Sequence, residues 1–279
     1  MLASLIIVFR EVLEAGLIVG IVLAATEGVA GRGRWVTMGI AAGILGSCVV
    51  AWFADAISGL FADTGQELFN AGVLLVAVAM LAWHNAWMAQ HGREIARDMA
   101  AVGRAVSSGE RSLAALAVVI GVAVLREGAE VVLFLTGILA SEEGGVGTVL
   151  AGGLGGVALG ALMSGLMYVG LLRIPTRHLF RVTTWLLTLL AAGMAATAVS
   201  FLAQAGVLER GGAILWDSSG LLRDKSVIGQ ALHVLIGYTD RPTEAQLLAY
   251  LATVAAILGL TRLAAGSAQP VRRAANPAE

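Results

Sequence analysis

The chain lacks most of what a water-soluble domain needs. Charged residues make up only 13% of its 279 residues, against roughly 25% in an ordinary soluble domain. That is too little to clothe a solvated surface around a core. There is one cysteine, Cys48. An intramolecular disulfide is thereby excluded, as is a thiolate metal cluster within one chain, and Cys48 reads as a small packed hydrophobe. No phosphate-binding glycine loop is present, which leaves ATP hydrolysis by this chain without support. No cleavable leader is expected either, because Arg10, Glu11 and Glu14 interrupt the stretch where a leader carries its uncharged core.

What is abundant is apolar. Hydrophobic residues reach 58%, and glycine, at 36 residues, suits closely packed membrane helices. Seven stretches are long enough to cross a bilayer, at about 20 apolar residues each. They run over about 3–26, 35–57, 67–89, 113–140, 147–171, 179–203 and 243–265. The expected fold is therefore an all-α membrane protein, a single polytopic domain over 1–279. The segment 90–112 is polar and is a candidate interfacial helix, 204–242 is the longest loop, and 266–279 is a tail.

Basic residues set the orientation. One set of alternate loops holds twelve: Arg32, Arg34, Arg93, Arg97, Arg104, Arg111, Arg173, Arg177, Arg181, Arg262, Arg272 and Arg273. The other holds only Arg210, Arg223, Lys225 and Arg241. The richer side is expected to be cytoplasmic, which puts the N-terminus outside, the C-terminus inside and 204–242 in the periplasm. The outer loops are acidic, with Asp55, Asp63, Glu67, Glu142, Glu143, Glu209, Asp217, Asp224, Asp240 and Glu244. Such a face can concentrate cations, although solvated loop charge explains it equally well.

Charge inside the spans is rare and therefore informative. The first span contains Arg10-Glu11-Val12-Leu13-Glu14 and the fourth contains Arg126-Glu127-Gly128-Ala129-Glu130, an offset of 116 residues from Arg10 to Arg126. The fourth span comes three crossings after the first, so the two copies run in opposite directions. Residues of about 3–89 and 113–203 thus read as inverted three-helix repeats, an arrangement that places a transport site at the repeat interface. Six charged groups in lipid would cost roughly 15–20 kcal/mol if left alone. They persist by pairing, by hydrogen bonding, by binding a cation or by lining water.

Residues three and four apart share a helix face. Glu11 and Glu14 therefore point one way, as do Glu127 and Glu130, and each Arg reaches the Glu four residues on. If the two faces meet, four carboxylates converge beside two guanidinium groups, with a formal sum of minus two. Such oxygens suit hard cations: ferric iron, manganese, magnesium or calcium. The competing structural reading is a pair of Arg–Glu ties that only fix helix packing. His84 and Asn85, at the end of the third span, are further candidate ligands, set against the plainer reading of a histidine satisfied by a neighbouring helix. The scattered methionines and His233 read as ordinary packing and polar residues, and Trp35, Trp83, Trp87 and Trp185 as an aromatic belt at helix ends. Gly152, Gly156 and Gly160 stand at small-xxx-small spacing and predict a close helix contact, within the chain or in a homo-oligomer.

The double Arg-Glu-x-x-Glu motif, the stretch Trp83-His84-Asn85-Ala86-Trp87-Met88 and the stretch Gly237-Tyr238-Thr239-Asp240-Arg241-Pro242 resemble the oxidase-dependent iron permeases, in their bacterial inner-membrane branch. The resemblance implies iron import, with the ion handled as ferric iron and supplied by a periplasmic oxidase or iron-binding partner. It maps the iron-handling glutamates onto Glu11, Glu14, Glu127 and Glu130, and the motif arginines onto Arg10 and Arg126. Many such permeases carry an acidic pair near the start of the third helix. Here Glu67 is present, but Asn70 stands three residues later. Iron is expected as cargo, without an organic cofactor and without a nucleic-acid partner. Two other readings remain: a permease for another divalent cation such as manganese, and a membrane di-iron oxidoreductase, for which the motifs lack the usual Glu-x-x-His.

Overall fold

The computed structural model describes residues 1–59, 66–141, 145–170, 176–208, 210–224 and 226–267. Asp63, Glu142, Glu143, Arg173, Glu209, Lys225 and the tail from 268 onward fall outside them, as do the side chains of Asp55, Arg93 and Arg177. The described residues form eight helices: α1 Leu2–Ala25, α2 Arg32–Gly59, α3 Gln66–Ser107, α4 Ala114–Ser141, α5 Gly145–Tyr168, α6 Thr176–Gln204, α7 Val227–Ile236 and α8 Glu244–Ser267. One isolated bridge, between Ile214 and Thr243, is the extended pairing found among them.

Five helical stretches are long and apolar enough to cross a membrane: Arg32–Ala54, Glu67–Met88, Gly145–Tyr168, Arg181–Gln204 and Glu244–Ala264. Helices α1 and α4 have comparable length but carry the motif charges. Large apolar side chains such as Leu45, Trp52, Leu154 and Leu248 stand exposed on the outside of the bundle. A water-soluble protein would pair such a surface with a partner, whereas a bilayer solvates it directly. The chain is a membrane protein.

Two features differ from the sequence expectation. The polar segment 90–112 is not a separate loop, since α3 continues without a break to Ser107. Polarity there reports the end of the apolar stretch, not the end of the helix. The extension packs back on α1: Ser107 Oγ donates to the Ala25 carbonyl at 2.8 Å, and Gly103 lies against Ala25. The loop 204–242 also holds a helix. In α7, Ser226 caps the N-terminus by accepting from the Gly229 N–H, and Gly237 closes the C-terminus at a φ of 69°. That turn abuts Gly193, well inside α6, where a Cβ on Gly193 would stand 2.9 Å from the Gly237 Cα. The rest of the loop is tied locally: Asp240 N–H donates to Asp224 Oδ1 at 3.0 Å, and Tyr238 Oη donates to the Leu222 carbonyl at 2.9 Å.

The packing order of the helices is crossed. The most extensive contacts join α1 to α5, α2 to α4 and α3 to α6. Glycines make the first two possible. A Cβ on Gly156 would stand 2.7 Å from the Leu5 carbonyl oxygen and 2.9 Å from the Val8 Cβ. A Cβ on Gly43 would stand 2.8 Å from the Gly121 carbonyl oxygen and 2.6 Å from the Val124 Cβ. The small-residue stripe of α5 is therefore an internal contact with α1. Leu5 and Gly121, like Val8 and Val124, lie 116 positions apart, the same offset that relates the two charged motifs.

Candidate functional site

Apolar residues fill the bundle in two separate clusters. One holds Ile7 of α1, Leu74 and Leu81 of α3, Phe134 and Ile138 of α4, and Leu187 of α6. The other holds Val22 of α1, Val106 of α3, Val36 of α2, and Leu116 and Ile120 of α4. Along α1, α3 and α4 alike, the motif residues and His84 fall between the members of the two clusters. A polar layer is thus held between two dry ones, where unpaired buried charge is expensive.

Each helix supplies its donors by simple spacing. On α1, Arg10 Nε lies 2.8 Å from Glu14 Oε1, and Arg10 Nη1 lies 3.6 Å from Glu11 Oε1. On α4, Arg126 Nε donates to Glu130 Oε1 at 3.1 Å and stands 3.9 Å from Glu127 Oε1. The expected reach from each arginine to the glutamate four residues on is present in both copies. His84 of α3 joins them: its Nε2 lies 3.6 Å from Glu14 Oε2, and its Nδ1 contacts Glu130 Oε2. The two acidic faces meet, with the imidazole between them.

Burial is extreme. Arg10, Glu11, Glu14, His84, Asn85 and Glu127 are all buried, with Glu11 at 0% exposure. Both Glu11 oxygens, Glu127 Oε2 and both polar atoms of the Asn85 side chain have no hydrogen-bond partner among the described residues. Buried carboxylate oxygens are rarely left so. Donor atoms of Glu11, Glu14 and His84 lie within 4.8 Å of one another, and so do those of Glu11, Glu127 and Glu130. Four carboxylates and one imidazole make a mostly hard donor set with one borderline nitrogen, which can hold a divalent transition metal.

The remaining expectations divide. Glu67 is exposed in the first turn of α3. Seventeen residues separate it from His84 on the same helix, about 25 Å at the helical rise, so it is no part of this cluster, and neither is Asn70. Trp87 is not simply a belt residue. Its ring lies 4.1 Å from the Arg126 guanidinium, and His91 stacks on it at 5.1 Å between centroids. His91 drew no notice in the sequence. The signal available was its spacing, four residues after Trp87 and seven after His84, on one face of a helix.

With this geometry in view, comparison with known proteins is decisive. The model of the Iron permease FTR1 family matches residues 1–269. The chain belongs to that family. Among relatives, the "Ferrous iron permease EfeU" of Yersinia pestis is 29% identical over 285 residues, covering 99% of this chain and 100% of the relative. The protein of the same name from Escherichia coli O6:H1 is 30% identical over 250 residues, covering 87% of this chain and 88% of its own length. No solved structure matches the chain.

Proposed function

We propose that this permease carries iron across the inner membrane, from the periplasm to the cytoplasm, through the site formed by Glu11, Glu14, Glu127, Glu130 and His84. Arg10 and Arg126 moderate the charge. The observation that carries the reading is the meeting of both motifs around His84 inside the bundle, with the Glu11 carboxylate buried and without a hydrogen-bond donor among the described residues.

The seven bilayer-length helices α1–α6 and α8 would cross the membrane, and α1–α3 and α4–α6 would form inverted repeats. Contacts that recur at the 116-residue offset support this arrangement. So does the crossed packing, in which exchanging α1 with α4, α2 with α5 and α3 with α6 turns the α1–α5 contact into α4–α2. The two apolar clusters would then close the site toward either face, and passage would require one to open at a time.

Ferrous iron is the form we assign. The relatives carry that word in their names, and an imidazole among the carboxylates suits a divalent transition ion better than an all-oxygen set does. The ferric form implied by the sequence resemblance becomes the other arm of the test. Delivery by a periplasmic iron-binding or oxidase partner stays part of the proposal.

Uptake of labelled iron into proteoliposomes tests it. Wild-type protein should take up iron supplied with ascorbate faster than ferric citrate, and Glu14→Ala combined with Glu130→Ala should abolish uptake. Uptake at the wild-type rate in that double variant would mean that the ion takes another route. Faster uptake of ferric citrate would overturn the oxidation state but not the site.

A further inference from the structure

We propose that the site is two cation subsites sharing Glu11, occupied by one divalent cation at a time, with Glu11 handing the ion between them. This rests on the functional reading above and adds an internal structure to it.

The donors are not gathered around one point. They fall into two triads, Glu11–Glu14–His84 and Glu11–Glu127–Glu130, each with its donor atoms within 4.8 Å. Two ligands on opposite sides of one ion stand roughly 4–5 Å apart, twice a metal–oxygen distance of about 2.0–2.5 Å. Each triad therefore has the span of a single coordination sphere, and Glu11 is common to both.

The ties on each carboxylate point the same way. Glu14 is held by Arg10 at 2.8 Å, and Glu130 by Arg126 at 3.1 Å and by His84. Glu11 stands 3.6 Å from Arg10 Nη1, too long for a hydrogen bond, and among the described residues neither of its oxygens has a hydrogen-bond donor. A carboxylate has two oxygens and about four lone-pair sites, enough to serve either triad without leaving the other out of reach. Glu14 and Glu130 are thus tied by their arginines, whereas Glu11 and Glu127 have only longer contacts, and of these two Glu11 is the one common to both triads.

Charge fixes the occupancy. Four carboxylates less two guanidinium groups leave minus two, with the imidazole neutral as a ligand. One divalent ion cancels this. A second would leave plus two in a layer enclosed by two apolar clusters, where uncompensated charge is strongly disfavoured. Passing one ion between two modest sites also avoids a single deep well, since conduction needs binding that is weak or divided enough to permit departure.

Manganese(II) binding to the full chain in lipid nanodiscs, followed by equilibrium dialysis and electron paramagnetic resonance, tests the proposal. Wild-type protein should bind one Mn2+ per chain with an uncoupled spectrum. Glu127→Gln with Glu130→Gln should still bind one, and Glu14→Gln with His84→Gln should still bind one, each weakened by about tenfold. Glu11→Gln should lose both modes of binding. If it does not fold, Glu11→Asp keeps the charge but shortens the reach: it should retain one Mn2+ while iron uptake falls about tenfold or more. Two exchange-coupled Mn2+ ions in the wild type would overturn the single occupancy. Loss of binding in both double variants would mean one merged site, overturning the subsites but leaving the permease reading intact. No Mn2+ or Fe2+ bound to the wild type would sink both.

Discussion

The two Arg-Glu-x-x-Glu motifs are alike in sequence and unlike in surroundings. The first is sealed: Arg10, Glu11 and Glu14 are each at most 3% exposed. The second is partly open, with the Arg126 side chain 36% exposed and that of Glu130 14%. Glycine contacts of the same register seat both helices, so backbone packing does not separate them. The difference lies with α3. Its Trp87 offers Arg126 an aromatic face, whereas Arg10 pairs with Glu11 and Glu14 of its own helix. Arg10 is enclosed with its glutamates, whereas Arg126 pairs with Glu130 and lies over the Trp87 ring at once. Equivalent sequence thus supplies equivalent groups, while the third helix gives the two copies different surroundings.

The largest effect should come from the sealed copy. Arg10→Leu strands two buried carboxylates and should destabilise the protein by about 3–5 kcal/mol, the range for breaking a buried pair from one side. The matching Arg126→Leu, at a half-open position, should cost far less stability and act mainly on uptake. Thermal unfolding in detergent compares the two, and equal losses would remove the asymmetry. Next are the glycines. Gly156→Ala and Gly43→Ala each force a methyl against backbone and should cost about 1–3 kcal/mol, with similar values because they occupy matching registers. A large loss for one alone would break the repeat. Trp87→Leu should follow, removing a cation–π contact of about 0.5–2 kcal/mol. It should change iron uptake more than the melting temperature, and the reverse order would make Trp87 a packing residue only.

The smallest effect lies outside the bundle. Hydrogen bonds from the Ser219 hydroxyl and backbone N–H, with the Arg241 guanidinium beside them, hold the Asp217 carboxyl down to about 2. A depressed acid stabilises the fold above its ordinary titration range and loses that contribution as pH falls toward 2. Asp217→Asn should therefore flatten the acid limb of a pH–stability profile slightly and leave uptake at neutral pH unchanged.

Much of this was legible in the residues. The spans, the doubled motif and the reach from arginine to glutamate follow from hydropathy and helical spacing, because each is local. Glu67 stands too far along α3 to join the cluster, as the count of residues to His84 makes plain. His84 could be named but not given its place, since only the packing of α3 against α1 and α4 puts its two nitrogens on opposite motifs. Even so, polar His84 and Asn85 within an apolar run carry the same warning of cost in lipid that Arg10 does. The extension of α3 to Ser107 was hidden because leaving the apolar layer and leaving the helix look the same to hydropathy. Helix α7 lies in a stretch read as loop, although Ser226 before it and Gly237 after it are recognisable caps.

The central claim is that iron sits where the two motifs and His84 meet. Anomalous scattering at the iron edge from protein loaded with ferrous iron under anaerobic conditions tests it most directly. The account predicts one iron peak within bonding distance of Glu11 and bounded by Glu14 and His84 or by Glu127 and Glu130. A peak elsewhere in the bundle, with this carboxylate layer free of iron, would contradict it.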